Sequence, residues 1–270
     1  MQQWHPDFYK FSNIFEHIRQ LLSNSSWSSW PTCQQLNQLL TNDVTNVQGD
    51  VLTLIEQTPE LLSDGLYYEQ RIYQQGLVPT RSANWHDFFN ALIYLLFPKT
   101  KKEINRLHCL HIEQYGQQKR SKCRDALTLL DECGVLIPYS DPQLATKLQN
   151  HQWKDAFFSN RALWGNEIDA VVIGHANYEK ALTPYIGFTG KALYLHVPPY
   201  YFTLNLLEKY QYLDTILAEK LSELMQDNSQ LYPLPMLGVP GWWPDNEQPE
   251  FYDNTDYFRA KRKFNNKNNE

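Results

Sequence analysis

The 270-residue chain has little of what marks several large protein classes. Its four cysteines (Cys33, Cys109, Cys123 and Cys133) form no CxxC pair, which argues against a standard zinc ribbon and a disulfide-stapled scaffold. Reduced thiols are the expectation. It has only 11 glycines and neither a GxGxxG nor a P-loop pattern, so a glycine-rich phosphate cradle is excluded. There is no GxSxG nucleophile elbow. The longest apolar run, Ala91–Phe97, falls far short of the ~20 residues that span a bilayer. The first residues, MQQWHPDFYKF, lack a basic stretch followed by an apolar one and do not read as a signal peptide. A net charge of -6 implies no general affinity for nucleic acid and is too mild for a disordered chain. The chain therefore reads as a cytosolic protein with no membrane partner.

What is present is a core. Hydrophobic residues make up 42% of the chain and aromatics 14%, enough to build one sizeable domain. Helical spacing runs through residues 7–22, a short stretch after Pro31, Leu66–Gln75 with Gly76 as its C-cap, Asn84–Phe97, and Leu206–Met225. A polar break is expected at Ser23–Ser29. Pro98 should stop the central helix, and Thr100 with Glu103 forms a capping box for the next. Asp50–Glu56 and Lys191–Val197 alternate like strands. In RDALTLLDECGVLIPYSD, two apolar runs flank Asp131-Glu132-Cys133-Gly134, predicting a β-hairpin of Ala126–Asp131 and Val135–Tyr139. Asp141-Pro142 should open a short helix, and Glu167–Leu182 reads as one continuous helix. From Leu231 to Arg262, five prolines and two glycines sit among seven aromatics, a composition that disfavours regular structure. The fold class expected is α+β, predominantly helical: a single domain over residues 1–263 with a hairpin and a few short strands. Its Pro- and aromatic-rich C-terminal segment would pack on the core, with 264–270 as a frayed tail.

The central segment NWHDFFNALIYLLFPKTK places His86, Asp87 and Asn90 on a strongly apolar helix, where polar side chains cost free energy unless paired or used. His86 and Asn90 share a face; so do His175 and Glu179, also four apart. Two helices that each present a His and an oxygen ligand can build a metal centre. The expected ligands are therefore His86, His175 and Glu179, with Asp131 or Glu132 at the hairpin tip as a further ligand or general base, and His86 among the catalytic groups. The cofactor would be a divalent transition metal. The competing structural explanation has His86 cross-linking helices, Asn84 capping and Asp87 favoured by the helix dipole. His108-Cys109-x-His111 with Cys123 and Cys133 is a second, poorly spaced metal set. Lys101–Arg106 and Lys119–Arg124 are candidate basic patches, each also readable as a solvated face. Trp242 and Trp243, lying between prolines, with nearby Tyr252, form a candidate aromatic contact surface, or else a staple onto the core.

Taken together, NWHDFFNALIYLLFPKTK, RDALTLLDECG, GHANYEKALTPY and PLPMLGVPGWWPDNEQPEFYDNTDYFR resemble the bacterial domain-of-unknown-function family 3025 over Asn84 to Arg259. The resemblance implies a soluble bacterial protein and carries no activity, substrate or fold with it. It also implies Asn-Gly where this chain has Cys133-Gly134, so the Cys133 side chain is not expected to be essential. Two functions follow from the residues. One is a metal-assisted, hydrolase-like enzyme with a His/acidic pocket. The other is a non-catalytic binding or regulatory protein that uses the aromatic C-terminal segment.

Overall fold

The computed structural model describes residues 2–22 and 27–261. Most of the expected Ser23–Ser29 break and the 264–270 tail lie outside the described residues. Two 3-10 turns, Phe8–Lys10 and Asn13–Phe15, precede helix α1 (Glu16–Leu21) in place of one continuous helix. Ser12 is the cause: its hydroxyl accepts the Ile14 N–H and restarts the chain. α2 (Cys33–Asn37) begins on a Thr32–Gln35 capping box. β1 (Thr53–Glu56) runs parallel to β2 (Leu77–Thr80), with α3 (Pro59–Leu62) and α4 (Tyr68–Gln75) in the crossover. Gly76 closes α4 at φ 66°, the left-handed conformation that a side chain disfavours.

The central motif folds as expected into α5 (Trp85–Leu96), capped by Asn84, whose side chain accepts the Asp87 N–H. α6 (Pro98–Tyr115) follows directly. Its start departs from the Thr100/Glu103 capping box. Proline occupies the first helical position, and the orphan N–H groups of Lys99 and Thr100 donate to the Asp214 carboxylate at 3.0 and 2.7 Å. Thr100 is buried, and Glu103 pairs with Arg106 instead. The cap thus arrives from a helix more than a hundred residues away, which no local pattern could announce.

The expected hairpin does not form. Lys122–Cys133 is helix α7, and Gly134–Tyr139 is strand β3. Cys123, Ala126, Leu127 and Leu130 bury one face at helical spacing; the short Ala126–Asp131 stretch fits either period by itself. Asp131 and Glu132 therefore lie in the last helical turn, not on a tip. Gly134 has φ -67°, so its need is room rather than a left-handed turn: a Cβ there would collide with the Leu130 carbonyl.

After α8 (Pro142–Gln149), the expected helix over 167–182 splits. Ile168 bridges to Tyr139, Val171–Val172 forms β4, and only His175–Ala181 is helical, as α9. Strand β5 (Thr189–His196) and helix α10 (Leu206–Leu224) match their sequence patterns. The proline-rich segment nevertheless supplies β6 (Tyr232–Pro235). The sheet order is β4-β3-β5-β6, with β3 and β5 parallel and both outer pairings antiparallel. Pro233 and Pro235 are accommodated because β6 is an edge strand, where a missing N–H can face outward.

One buried apolar cluster runs from Phe8 through α5 and the sheet to Phe258, giving the α+β, mainly helical fold expected. The C-terminal segment is pinned to it. The Tyr257 hydroxyl donates to the Phe188 carbonyl at 2.6 Å, and the buried Asn246 amide donates to the Leu237 and Val239 carbonyls. No described helix is long and apolar enough to cross a membrane.

Replacing Asp214 with Ala leaves the buried Thr100 N–H without an acceptor, at about 1–3 kcal/mol, and the part-buried Lys99 N–H to water. Asp214→Ala is expected to lower the urea midpoint clearly, and Asp214→Asn, which keeps one acceptor oxygen, to lower it less.

Candidate metal centre

Five side chains from three helices cluster together, and two glycines bring the helices close enough. Gly174 is the N-cap of α9, and its N–H donates to the Gly134 carbonyl at 2.9 Å. A Cβ on Gly174 would lie 2.6 Å from the Cys133 backbone, so only glycine lets α9 begin against the end of α7. His175, the first residue of α9, then faces Asp131 and Glu132. α5 packs alongside α9 and contributes His86.

The His86 and His175 Nε2 atoms are 2.9 Å apart, with the rings nearly perpendicular at 81°. Glu132 stands astride them, its two oxygens 3.9 Å from His86 Nε2 and from His175 Nε2 respectively. Glu179 touches the other nitrogen of His86, whose Nδ1 donates to it at 3.1 Å. Asp131 Oδ2 lies 3.9 Å from His175 Nδ1, which has no hydrogen-bond partner of its own.

Tautomers decide what this arrangement means. With its Nδ1–H on Glu179, a neutral His86 points an Nε2 lone pair at His175. If His175 answered with an Nε2–H, its buried Nδ1 lone pair would confront the Asp131 carboxylate. The electrostatically favourable tautomer puts the proton on Nδ1, toward Asp131. In that tautomer two Nε2 lone pairs converge, as they would on a shared cation; in the other the 2.9 Å contact is a hydrogen bond between two neutral rings. Burial holds the His175 imidazole down to about 3, which opposes a proton in that place. Nitrogen ligands about 2.0–2.1 Å from one ion sit roughly 3 Å apart when at right angles, close to the observed spacing. A carboxylate on the far nitrogen of a ligating His is the usual orienting partner. His86, Glu132 and His175 are the side chains that could hold such an ion, their ligand atoms all within 4.8 Å of one another.

Expectation and structure differ in the carboxylates. The metal set expected from the sequence is His86, His175 and Glu179, with Asp131 or Glu132 as a further ligand or general base. The two histidines do meet; Glu179 lies on the Nδ1 side of His86, and Glu132 is the carboxylate beside both Nε2 atoms. Burial raises the Glu132 carboxyl above its ordinary range. Asp131 is held elsewhere, accepting from the buried Lys101 ammonium at 2.6 Å. Burial pushes the Asp131 carboxyl up, but the charges of Lys101 and His175 outweigh it and the net shift is downward. Lys101 also donates to Asn90 Oδ1 at 2.9 Å and lies 4.5 Å over the Tyr94 ring. Asn90, which shares the His86 face, is thus a partner of Lys101 rather than a ligand. Asp87 binds Arg81 through both carboxylate oxygens and ties the β2–α5 loop.

The centre opens into a polar cavity of about 350 Å³ with His108, Arg120 and Arg124 on its wall. None of these three, nor Lys101, was singled out from the sequence as a site residue of this pocket. Lys101 and Arg124 sat in stretches read as exposed basic runs, yet both are buried. Their only sequence signal was apolar company at helical spacing.

The second expected metal set is dispersed. Cys109 donates to the Glu69 carbonyl, His111 pairs with Ser121, and Cys123 is buried among apolar side chains. Of the aromatic contact surface, Tyr252 is 5% exposed and donates its hydroxyl to the Gly238 and Asn246 carbonyls, so it belongs to the core. Trp242 and Trp243 are half-buried against that core.

A family model described as protein of unknown function (DUF3025) matches residues 52–262, which includes every residue of the centre. No curated protein matches the chain. No solved structure matches it either.

Removing one partner of a buried ion pair strands the other. Lys101→Met is expected to destabilise the protein by about 3 kcal/mol in denaturant titrations, with Lys101→Met/Asp131→Leu recovering much of the loss.

Proposed function

We propose that this chain, which belongs to the DUF3025 family, is a metal-assisted, hydrolase-like enzyme with a His86–His175–Glu132 centre. The observation that carries the reading is the convergence of two imidazole Nε2 atoms at 2.9 Å beside a carboxylate, each far nitrogen facing an acidic side chain. A divalent transition ion held by His86, His175 and Glu132 would supply Lewis acidity for a substrate carbonyl or phosphoryl oxygen and would acidify bound water. Glu179 and Asp131 fix the two rings in the tautomers that leave Nε2 free. Lys101 keeps Asp131 ionised, so that its charge, 3.9 Å from His175 Nδ1, favours a proton on that nitrogen. Glu132, partly exposed to the cavity, completes the donor set and gives the centre its one negative ligand.

The unpaired thiols agree with a reducing, cytoplasmic setting, since all four cysteines are free. The alternative, a binding protein using the aromatic segment, has less support. Tyr252 is internal, and both tryptophans pack inward.

Elemental analysis of untagged, natively purified protein is expected to find one transition-metal ion per chain. His86→Ala and His175→Ala should each abolish it, and Glu179→Gln should weaken affinity by roughly 10–100-fold, as orienting carboxylates do. Substoichiometric metal, together with a melting temperature unmoved by chelator, would sink the proposal.

A further inference from the structure

Arg124 is 3% exposed and has no carboxylate partner among the described residues. Its Nη1 donates to the Gln117 and Lys119 carbonyls at 3.1 and 3.3 Å. Nε has no hydrogen-bond partner, yet the residue lines the cavity. A guanidinium keeps its charge, and burying one without an anion is costly. The other cations of the region are spoken for. Arg81 holds Asp87, Lys101 holds Asp131, and Arg120 pairs with the exposed Asp125 at 2.9 Å. Arg120 nevertheless reaches the same wall, donating to Thr128 Oγ1 at 2.7 Å. His108 stands beside them, buried, with its Nδ1 unpartnered; burial lowers its pKa and keeps the imidazole neutral.

Arg124, Thr128 and Glu132 follow one another at four-residue intervals on a single face of α7. Glu132 belongs to the metal centre. Arg124 lies two turns away, about 12 Å along the helix axis. The two ends of the cavity are thus chemically distinct: a donor set for a cation at one, an uncompensated buried cation at the other.

We infer that the Arg124–Arg120 end is an oxyanion subsite, which receives a phosphate- or carboxylate-bearing terminus of the substrate. The reacting bond sits at the metal end, about two helical turns from that anchor. This rests on the metal-centre reading for the position of the reacting bond, but not for binding of the anion itself. The substrate class is therefore an elongated acid whose anionic group is for recognition and is not the group cleaved. Guanidinium groups suit planar, two-point recognition of such oxyanions.

Titration of chelator-treated protein with inorganic phosphate, against chloride at matched ionic strength, tests this by calorimetry and by melting temperature. Saturable phosphate binding with a raised melting temperature is expected. Arg124→Gln should weaken it by about tenfold or more, as loss of a charge-assisted fork does. His86→Ala should leave it unchanged. Arg124 also holds two backbone carbonyls, so the exposed Arg120→Gln variant is the control for folding and should weaken phosphate severalfold with an unchanged melting temperature in chloride. Benzoate in place of phosphate tells whether the subsite takes carboxylate as well as phosphoryl groups, and binding of either anion supports it. Absence of saturable binding by both anions, or binding indifferent to both arginine variants, would overturn the inference. Loss of metal from the native protein with phosphate binding intact would instead overturn the metal centre alone.

Discussion

The backbone contact between Gly134 and Gly174 is the constraint on which the arrangement depends. One glycine ends α7 and opens β3; the other opens α9. Their close approach leaves no volume for a side chain on either, and the Gly134 carbonyl accepts from both Ile173 and Gly174. That single junction puts the acidic last turn of α7 against the first residue of α9. Move α9 outward by the width of a methyl group and His175 no longer reaches Glu132 or His86. The buried amide of Asn177 reinforces the junction from within α9, donating to the same carbonyl.

A second layer of constraint sets the position of the charge beneath the centre. α6 has no cap of its own and takes one from Asp214 on α10. The next residue after the capped Thr100 is Lys101. The register of α6 is therefore fixed where its ammonium must meet Asp131 and Asn90. Four helices, α5, α6, α7 and α10, are coupled this way through polar contacts in an apolar interior, where an unpartnered polar group is costly. The chain from Asp214 to Lys101 to Asp131 to His175 links the rear of the fold to the candidate donor atoms.

What the sequence made legible was local. Asn84 as a cap, Gly76 as a helix stop, the paired spacings of His86 with Asn90 and His175 with Glu179, and the helical length of Leu206–Met225 all follow from nearest-turn physics. The meeting of His86 with His175 was inferable because each sits on a helix with polar company. Which carboxylate would face the Nε2 atoms was not, because that depends on α7 being a helix. The stretch Ala126–Asp131 satisfies both periods, and glycine after Cys133 imitates a turn while serving close packing. Lys101 and Arg124 were illegible for another reason. A basic residue in a polar stretch looks solvated until distant segments cover it.

The two outer strands of the sheet carry a further consequence. β4 is only two residues long, and β6 has prolines at two of its four positions. Neither edge offers an uninterrupted row of free N–H groups to an incoming strand. Strand-to-strand association between copies, the common route from a partly open sheet to aggregate, is therefore blocked at both sides by length on one and by chemistry on the other. The proline-rich segment that fastens the C-terminal region to the core also closes the fold against its own kind.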